Sequence, residues 1–442
     1  MRRALLRLSL PLYIGQMAIV ASGLIDTLMA GRLSTLDLAA VGVAASIQTT
    51  ITMLAASLLM ALPPLLAHHA GAADQAAMRR DMEQSLWWVF GLSLLAMLTL
   101  LHPAPWLALA QLRPALAAKV AAYLQASAIG VPAMLLLRVF MGLYAGLART
   151  RPVMLVNLLY LAAKPALNSL CMQGLAMGAA GCALASSIDA SLLCLGLIVW
   201  SRRQPELRAL LPRALPPWPA AADVRRFLHL GLPIAMTFAA DLSAFTLMAL
   251  LIARLGTIAV AAHQIAANLV VLAFMWPMSL GQAATLLIGR ALGERQPEQA
   301  RRQARLAIQL ALGCALAVSL GLALGAAPIA AFYSPDPQVQ ALARTLIHAV
   351  ALYHLADALQ VVAVSALRGY HHTLLPMLVY TVCLWGIGLG GGILLGLTPY
   401  LRAPMGAPGF WLAAMGSLYV VALLMLLDLA RVARRAIRPG PL

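Results

Sequence analysis

Twelve stretches of some twenty or more mostly apolar residues run through this 442-residue chain, at about 8–31, 38–68, 84–110, 122–146, 153–172, 176–201, 226–253, 260–290, 305–332, 342–367, 373–397 and 406–432. A hydrocarbon core of about 30 Å takes roughly 20 apolar residues to cross as a helix. No water is available there, so a lipid-exposed backbone must satisfy its own hydrogen bonds, and the spans must be helices. The expected fold class is therefore an all-α membrane protein with twelve transmembrane helices. Composition agrees: 62% of the residues are hydrophobic and 10% charged, far from the balance of a soluble domain.

The formal net charge of +17 invites a nucleic-acid reading, but the placement of the basic residues excludes it. Of the 31 Lys and Arg, 23 fall at the termini and in alternate loops, from Arg2, Arg3 and Arg7 through Arg79 and Arg80, Arg149 and Arg151 to Arg431–Arg438. The intervening loops hold six: Arg32, Arg113, Lys119, Arg254, Arg344 and Arg402. That alternation is the positive-inside pattern, so both termini are expected in the cytoplasm, with the chain a multi-pass protein of the cell (inner or plasma) membrane. The opening MRRALLRLSLPLYIG has a basic flank like a signal peptide, but its apolar run is long and holds Asp26, and it reads as a retained first helix. The five cysteines are scattered without metal spacing, so neither a disulfide nor a cysteine metal site is expected.

The chain also repeats itself at an offset of 222. LSLP at 8–11 falls on LGLP at 230–233, Arg32 and Leu33 on Arg254 and Leu255, Gly71 on Gly293, and Arg79 and Arg80 on Arg301 and Arg302. One repeat holds six crossings, an even number, so both copies enter the membrane from the same side. This is the parallel-repeat plan of some secondary transporters. Two pseudo-symmetric six-helix lobes are expected, 1–215 and 216–442, joined by the proline-rich basic connector at 202–226. A cleft between such lobes is the natural place for a substrate.

Four acids lie well inside the spans: Asp26, Asp189, Asp241 and Asp357. A charge at the bilayer centre costs roughly 2.5–3.5 kcal/mol on insertion scales, so an intramembrane carboxylate is read as functional and facing protein, against a structural ion pair or helix-to-helix hydrogen bond. Tyr353 and Asp357 are four apart on one face with Gln360 a turn on; Thr237 precedes Asp241 by four, and Ser22 precedes Asp26 by four. Phenol, amide and carboxylate oxygens suit a small hard cation such as Na⁺ at Asp241, Tyr353 and Asp357. Alternatively, a carboxylate in an apolar setting carries a proton. The repeat carries position 26 onto Met248 and Asp241 back onto Ile19, so the scaffold is duplicated and the charges are not.

Two basic residues also lie within spans. Arg138 is near a helix end and can snorkel. Lys164, one of two lysines, precedes Pro165 near the middle of the fifth span and is expected to pair with Asp26 or Asp189. Asn157, Asn168 and Gln282 read as bonds between helices or as parts of a substrate network.

These residues resemble a known family. IDTLMAGRLSTLDLAAVGVAASI at 25–47, DLSAFTLMALLIARLGTIAVAAHQIAANL at 241–269, WPMSLGQAATLLIGRALGE at 276–294, YHLADALQVVAVSALRGY at 353–370 and MGAPGFWLA at 405–413 are similar to segments of the multidrug and toxic compound extrusion (MATE) transporters of the NorM-like branch. The resemblance implies a V-shaped pair of lobes exporting cationic amphipathic drugs in exchange for inward Na⁺ or H⁺, with no cofactor beyond that coupling ion. By position it implies coupling roles for Asp26, Asp241 and the pair Tyr353 and Asp357. Two departures stand out: the seventh-helix acid, often Glu in similar proteins, is Asp241, and Lys164 stands where Asn often precedes the fifth-helix proline.

The expected partners are cationic xenobiotics and the lipid bilayer, with no nucleic acid, and the chain is expected to act as a monomer. A flippase for lipid-linked saccharides, sharing a two-lobe plan, is the alternative and would need a wide basic cavity. An intramembrane enzyme would need a nucleophile, base or metal cluster near one membrane face, and the sequence shows none.

Overall fold

The computed structural model describes residues 1–212, 217–400 and 403–437; Arg213, Arg402 and Arg438 of the basic pattern lie outside them. Twelve helices in the described residues are long and apolar enough to cross a membrane. They are α1 (Arg2–Leu33), α2 (Thr35–Gly71), α3 (Gln75–Leu101), α4 (Pro114–Gly146), α5 (Thr150–Gly174), α6 (Ala179–Arg203), α7 (Ala221–Ala253), α8 (Thr257–Gly293), α9 (Pro297–Leu324), α10 (Pro337–Gly369), α11 (Leu374–Leu397) and α12 (Ala407–Ile437). The chain is a multi-pass membrane protein. Several helices outrun the apolar stretches that announced them: the 32 residues of α1 span about 48 Å, beyond the hydrocarbon core. A helix satisfies its backbone internally, so it continues past the apolar region at no hydrogen-bond cost.

Two expected spans were too long at their C-terminal ends. The stretch 84–110 divides at His102 and Pro103 into α3 and a short helix, Ala104–Ala110. The stretch 305–332 likewise divides at Gly325 into α9 and a short helix, Ala326–Tyr333. Proline donates no backbone hydrogen bond and glycine weakens a helix, so each ends the run although hydropathy continues. The two short helices begin 222 residues apart, at Ala104 and Ala326, as do α2 and α8, at Thr35 and Thr257, and α3 and α9, at Gln75 and Pro297. The duplication seen in the sequence is thus carried into element boundaries.

By contacts the chain forms two compact units, one of residues 11–235 and one of residues 1–10 with 236–442. This partition departs from chain order at the start of two helices. Residues 221–235 of α7 belong with the first-half helices because Arg226 pairs with Asp81 of α3, Phe227 stacks on Trp88 at 5.6 Å, and Gly231 lies against Leu58 of α2. The changeovers, at Leu10/Pro11 and Ala235/Met236, fall on or near Pro11 and Pro233, which the repeat offset equates.

Within the 11–235 unit, α4 is the hub and packs on α2, α3 and α6. Within the other unit, α10 takes the same place against α8, α9 and α12. The seams are built from small residues, as expected where lipid supplies no hydrophobic drive between helices. A Cβ at Gly130 of α4 would lie 2.7 Å from the Cα of Ser187 on α6, and one at Gly281 of α8 would lie 2.6 Å from Ser365 Oγ on α10.

Candidate functional site

The fifth helix of each half, α5 and α11, changes winding partway along. Residues Ser169–Gly174 of α5 and Cys383–Gly390 of α11 are π-helical. An extra residue per turn rotates the side chains before it relative to those after it, and such segments recur at functional sites. In both helices, polar site residues lie just ahead of the π segment: Lys164 and Asn168 on α5, Tyr380 on α11.

In the unit holding 236–442, Asp241 of α7 accepts a hydrogen bond from Tyr380 Oη of α11 at 2.6 Å. The Trp385 indole N–H donates to Ala240 O at 3.3 Å, tying α11 to α7 beside it. On α10, Asp357 is 5% exposed and accepts from Gln360 Nε2 at 3.2 Å. The charges of Asp241 and Asp357 lie close enough to interact, and the phenols of Tyr353 and Tyr380 lie within the field of both. Trp411 of α12, fully buried, backs the cluster: its ring meets Tyr353 at 5.8 Å, His263 of α8 at 5.7 Å and Phe245 of α7 at 6.3 Å. Among the described residues no Lys, Arg or His pairs with Asp241 or Asp357. Nor do they contain a group of three or more His, Cys, Asp or Glu able to hold a metal. A cation held here would draw on two carboxylates with phenol and amide oxygens, a donor set suited to a hard monovalent ion.

The 11–235 unit answers differently. Lys164 of α5, 1% exposed, donates to both Asp26 oxygens of α1, at 2.9 and 2.8 Å, and to Ser186 Oγ of α6 at 2.5 Å. Asn168 Nδ2 donates to Asp26 Oδ1 at 2.7 Å, and the Lys164 ammonium lies 5.5 Å from the centre of the Tyr160 ring. Of the two partners expected for Lys164, the structure thus selects Asp26. Asp189 of α6 is 2% exposed and feels the lysine's charge without bonding to it.

The remaining candidates are Asn157, Gln282 and Thr237. Asn157 of α5 packs on Gly15 of α1, whose Cβ would lie 2.7 Å from its Nδ2; this is a helix contact. Gln282 and Thr237 are half-buried on α8 and α7, Thr237 one turn ahead of Asp241. Tyr380 and Ser186 were not anticipated. A tyrosine within the apolar run LLPMLVYTV is a weak signal by itself, and Ser186 sits between Ala185 and Ser187 in a run of small residues.

The profile of the MatE family matches residues 11–169 and again 233–394, two segments whose starts are 222 apart. The chain belongs to the MatE family. A probable multidrug resistance protein NorM of Chromobacterium violaceum is 38% identical over 98% of this chain and 94% of its own length. The multidrug resistance protein PmpM of Pseudomonas aeruginosa is 37% identical, covering 99% of this chain and 92% of that one. Among solved structures, a MATE transporter in a bent conformation superposes with a TM-score of 0.89 at 19% identity, covering 99% of this chain and 97% of that one. A eukaryotic MATE transporter gives 0.85 at 17% identity over 98% of each chain. These likenesses establish a MATE fold.

Proposed function

We propose that this MatE-family chain is a secondary antiporter of the bacterial inner membrane, with both termini cytoplasmic, that exports cationic amphipathic drugs against inward Na⁺ or H⁺. The relatives carrying the name multidrug resistance protein support drug extrusion. The observation that carries the coupling is the pair Asp241 and Asp357, two interacting carboxylates inside apolar helices with no basic partner among the described residues. Two uncompensated negative charges in a low-dielectric setting are costly, and binding a cation or proton removes that cost.

Tyr380 fixes the Asp241 carboxylate and Gln360 that of Asp357, while Tyr353 adds a phenol oxygen beside them. A cation or proton entering from outside neutralises this cluster and favours one facing of the protein. The exported drug favours the other, and alternating access follows from that difference in affinity. A coupling energy of about 1–3 kcal/mol, a 5- to 150-fold change in affinity, suffices for such linkage. A flippase for pyrophosphate-linked lipids would need a surplus of buried basic groups. Here Asp26, Asp189, Asp241 and Asp357 outnumber Lys164 and Arg138 within the spans.

Ethidium efflux from vesicles under an imposed Na⁺ or pH gradient tests the reading. Efflux that follows one gradient in the native protein and fails in Asp357→Asn supports it. Unchanged gradient-driven efflux in the variant removes Asp357 from the mechanism.

A further inference from the structure

The two units treat Asp26 and the pair Asp241 and Asp357 in opposite ways. Asp241 and Asp357 receive hydrogen bonds from neutral groups only, whereas Asp26 is bonded by a cation supplied by the chain. An ammonium has three donor hydrogens. Those of Lys164 are directed to Asp26 Oδ1, Asp26 Oδ2 and Ser186 Oγ, and Asn168 bonds Oδ1 as well. Three of the roughly four acceptor positions of the Asp26 carboxylate are therefore taken, both oxygens among them, and the positive charge beside it is already supplied. The other ionisable groups facing this cluster are Tyr123 of α4, Tyr160 of α5, and Cys182 and Asp189 of α6. None of them can carry a positive charge, and no ion pair joins Arg138 of α4 to Asp26 among the described residues. Lys164 is thus the cation that compensates Asp26, and its 1% exposure leaves it no alternative partner in water.

We infer that Lys164 is a tethered cation occupying the place of a free coupling ion at Asp26, so that cation exchange runs through Asp241 and Asp357 alone. This rests on the antiport reading for the second part, but occupancy of Asp26 by Lys164 stands independently of transport. Its consequence is specific: neutralising Lys164 should create at Asp26 a cation or proton site that the native chain does not have. The lysine is in effect a specificity determinant, fixing the number of exchangeable cations per cycle through one half of a duplicated scaffold.

The test measures binding rather than transport, using radioactive sodium and proton uptake by full-length purified protein in lipid nanodiscs. In Asp241→Asn with Asp357→Asn, adding Asp26→Asn should change neither uptake. In the same double variant, Lys164→Gln should raise retained sodium, or protons taken up on acidification, by about tenfold or more, and Asp26→Asn should abolish the gain. Lys164→Arg, which keeps the charge, should show no gain. Sodium or proton uptake that depends on Asp26 while Lys164 is present overturns the inference. So does a folded, monodisperse Lys164→Gln protein that gains neither. The Asp26→Asn arm leaves Lys164 unchanged, so the inference remains open to refutation even where Lys164→Gln does not fold. Loss of ion-driven efflux in the native protein would count against the antiport reading and leave these binding results intact.

Discussion

Whether an intramembrane acid has a positive partner decides what it can do. Lys164 settles that question for Asp26, and nothing comparable exists for Asp357 among the described residues. Tyr380→Phe removes the phenol's hydrogen bond to Asp241 and leaves packing nearly unchanged. A bond to a charged group contributes about 1.5–3 kcal/mol, so the apparent affinity for the coupling cation should shift by roughly 10- to 100-fold. Titrating efflux against the driving ion measures this, and an unchanged half-maximal concentration would remove Tyr380 from the site. The acids themselves were legible in the sequence, because a carboxylate in an apolar run has few reasons to be there. Their partners were not. Tyr380 lies 139 positions from Asp241 and Lys164 138 from Asp26, and only folding shows which distant polar group a helix turns toward.

At the scale of helices, the seams make unequal demands on their glycines. Gly130→Val should destabilise the 11–235 unit by about 1–3 kcal/mol through overpacking against Ser187, while Gly42→Val, with nothing within 4 Å of its Cβ, should change little. Thermal unfolding in detergent separates the two, and equal losses would show that close approach of α4 and α6 is not what Gly130 provides. Asp37 staples three helices in the same unit. It accepts from Ser34 Oγ at the start of α2, from Lys119 Nζ of α4 at 2.7 Å, and from the Ala179 N–H that opens α6 at 2.9 Å. Asp37→Ala strands these donors and should cost about 2 kcal/mol in the same assay; an unaltered midpoint would show the staple to be dispensable. Helix count and rough position could be read from hydropathy, since apolar length is what a bilayer selects. The breaks at Pro103 and Gly325, and the π segments of α5 and α11, could not. They are set by single residues and local winding that an averaged apolar signal does not resolve.

For the whole molecule, the duplicated scaffold carries unduplicated charges. The offset of 222 in the sequence reappears in the helix starts and in the two matched segments of the family profile, so the architecture was legible before any coordinates. The passage of the starts of α1 and α7 to the unit opposite in chain order was not, because it depends on contacts such as Arg226 with Asp81 that periodicity does not encode. What distinguishes the halves is chemical: one pairs Asp26 with its own Lys164, while in the other no Lys, Arg or His pairs with Asp241 or Asp357 among the described residues. The most direct measurement is the release of bound cation by drug. Purified native protein, preloaded with sodium or protons and then given ethidium, should release them, and Asp241→Asn with Asp357→Asn should release none. Release of the same quantity from the double variant would contradict the account.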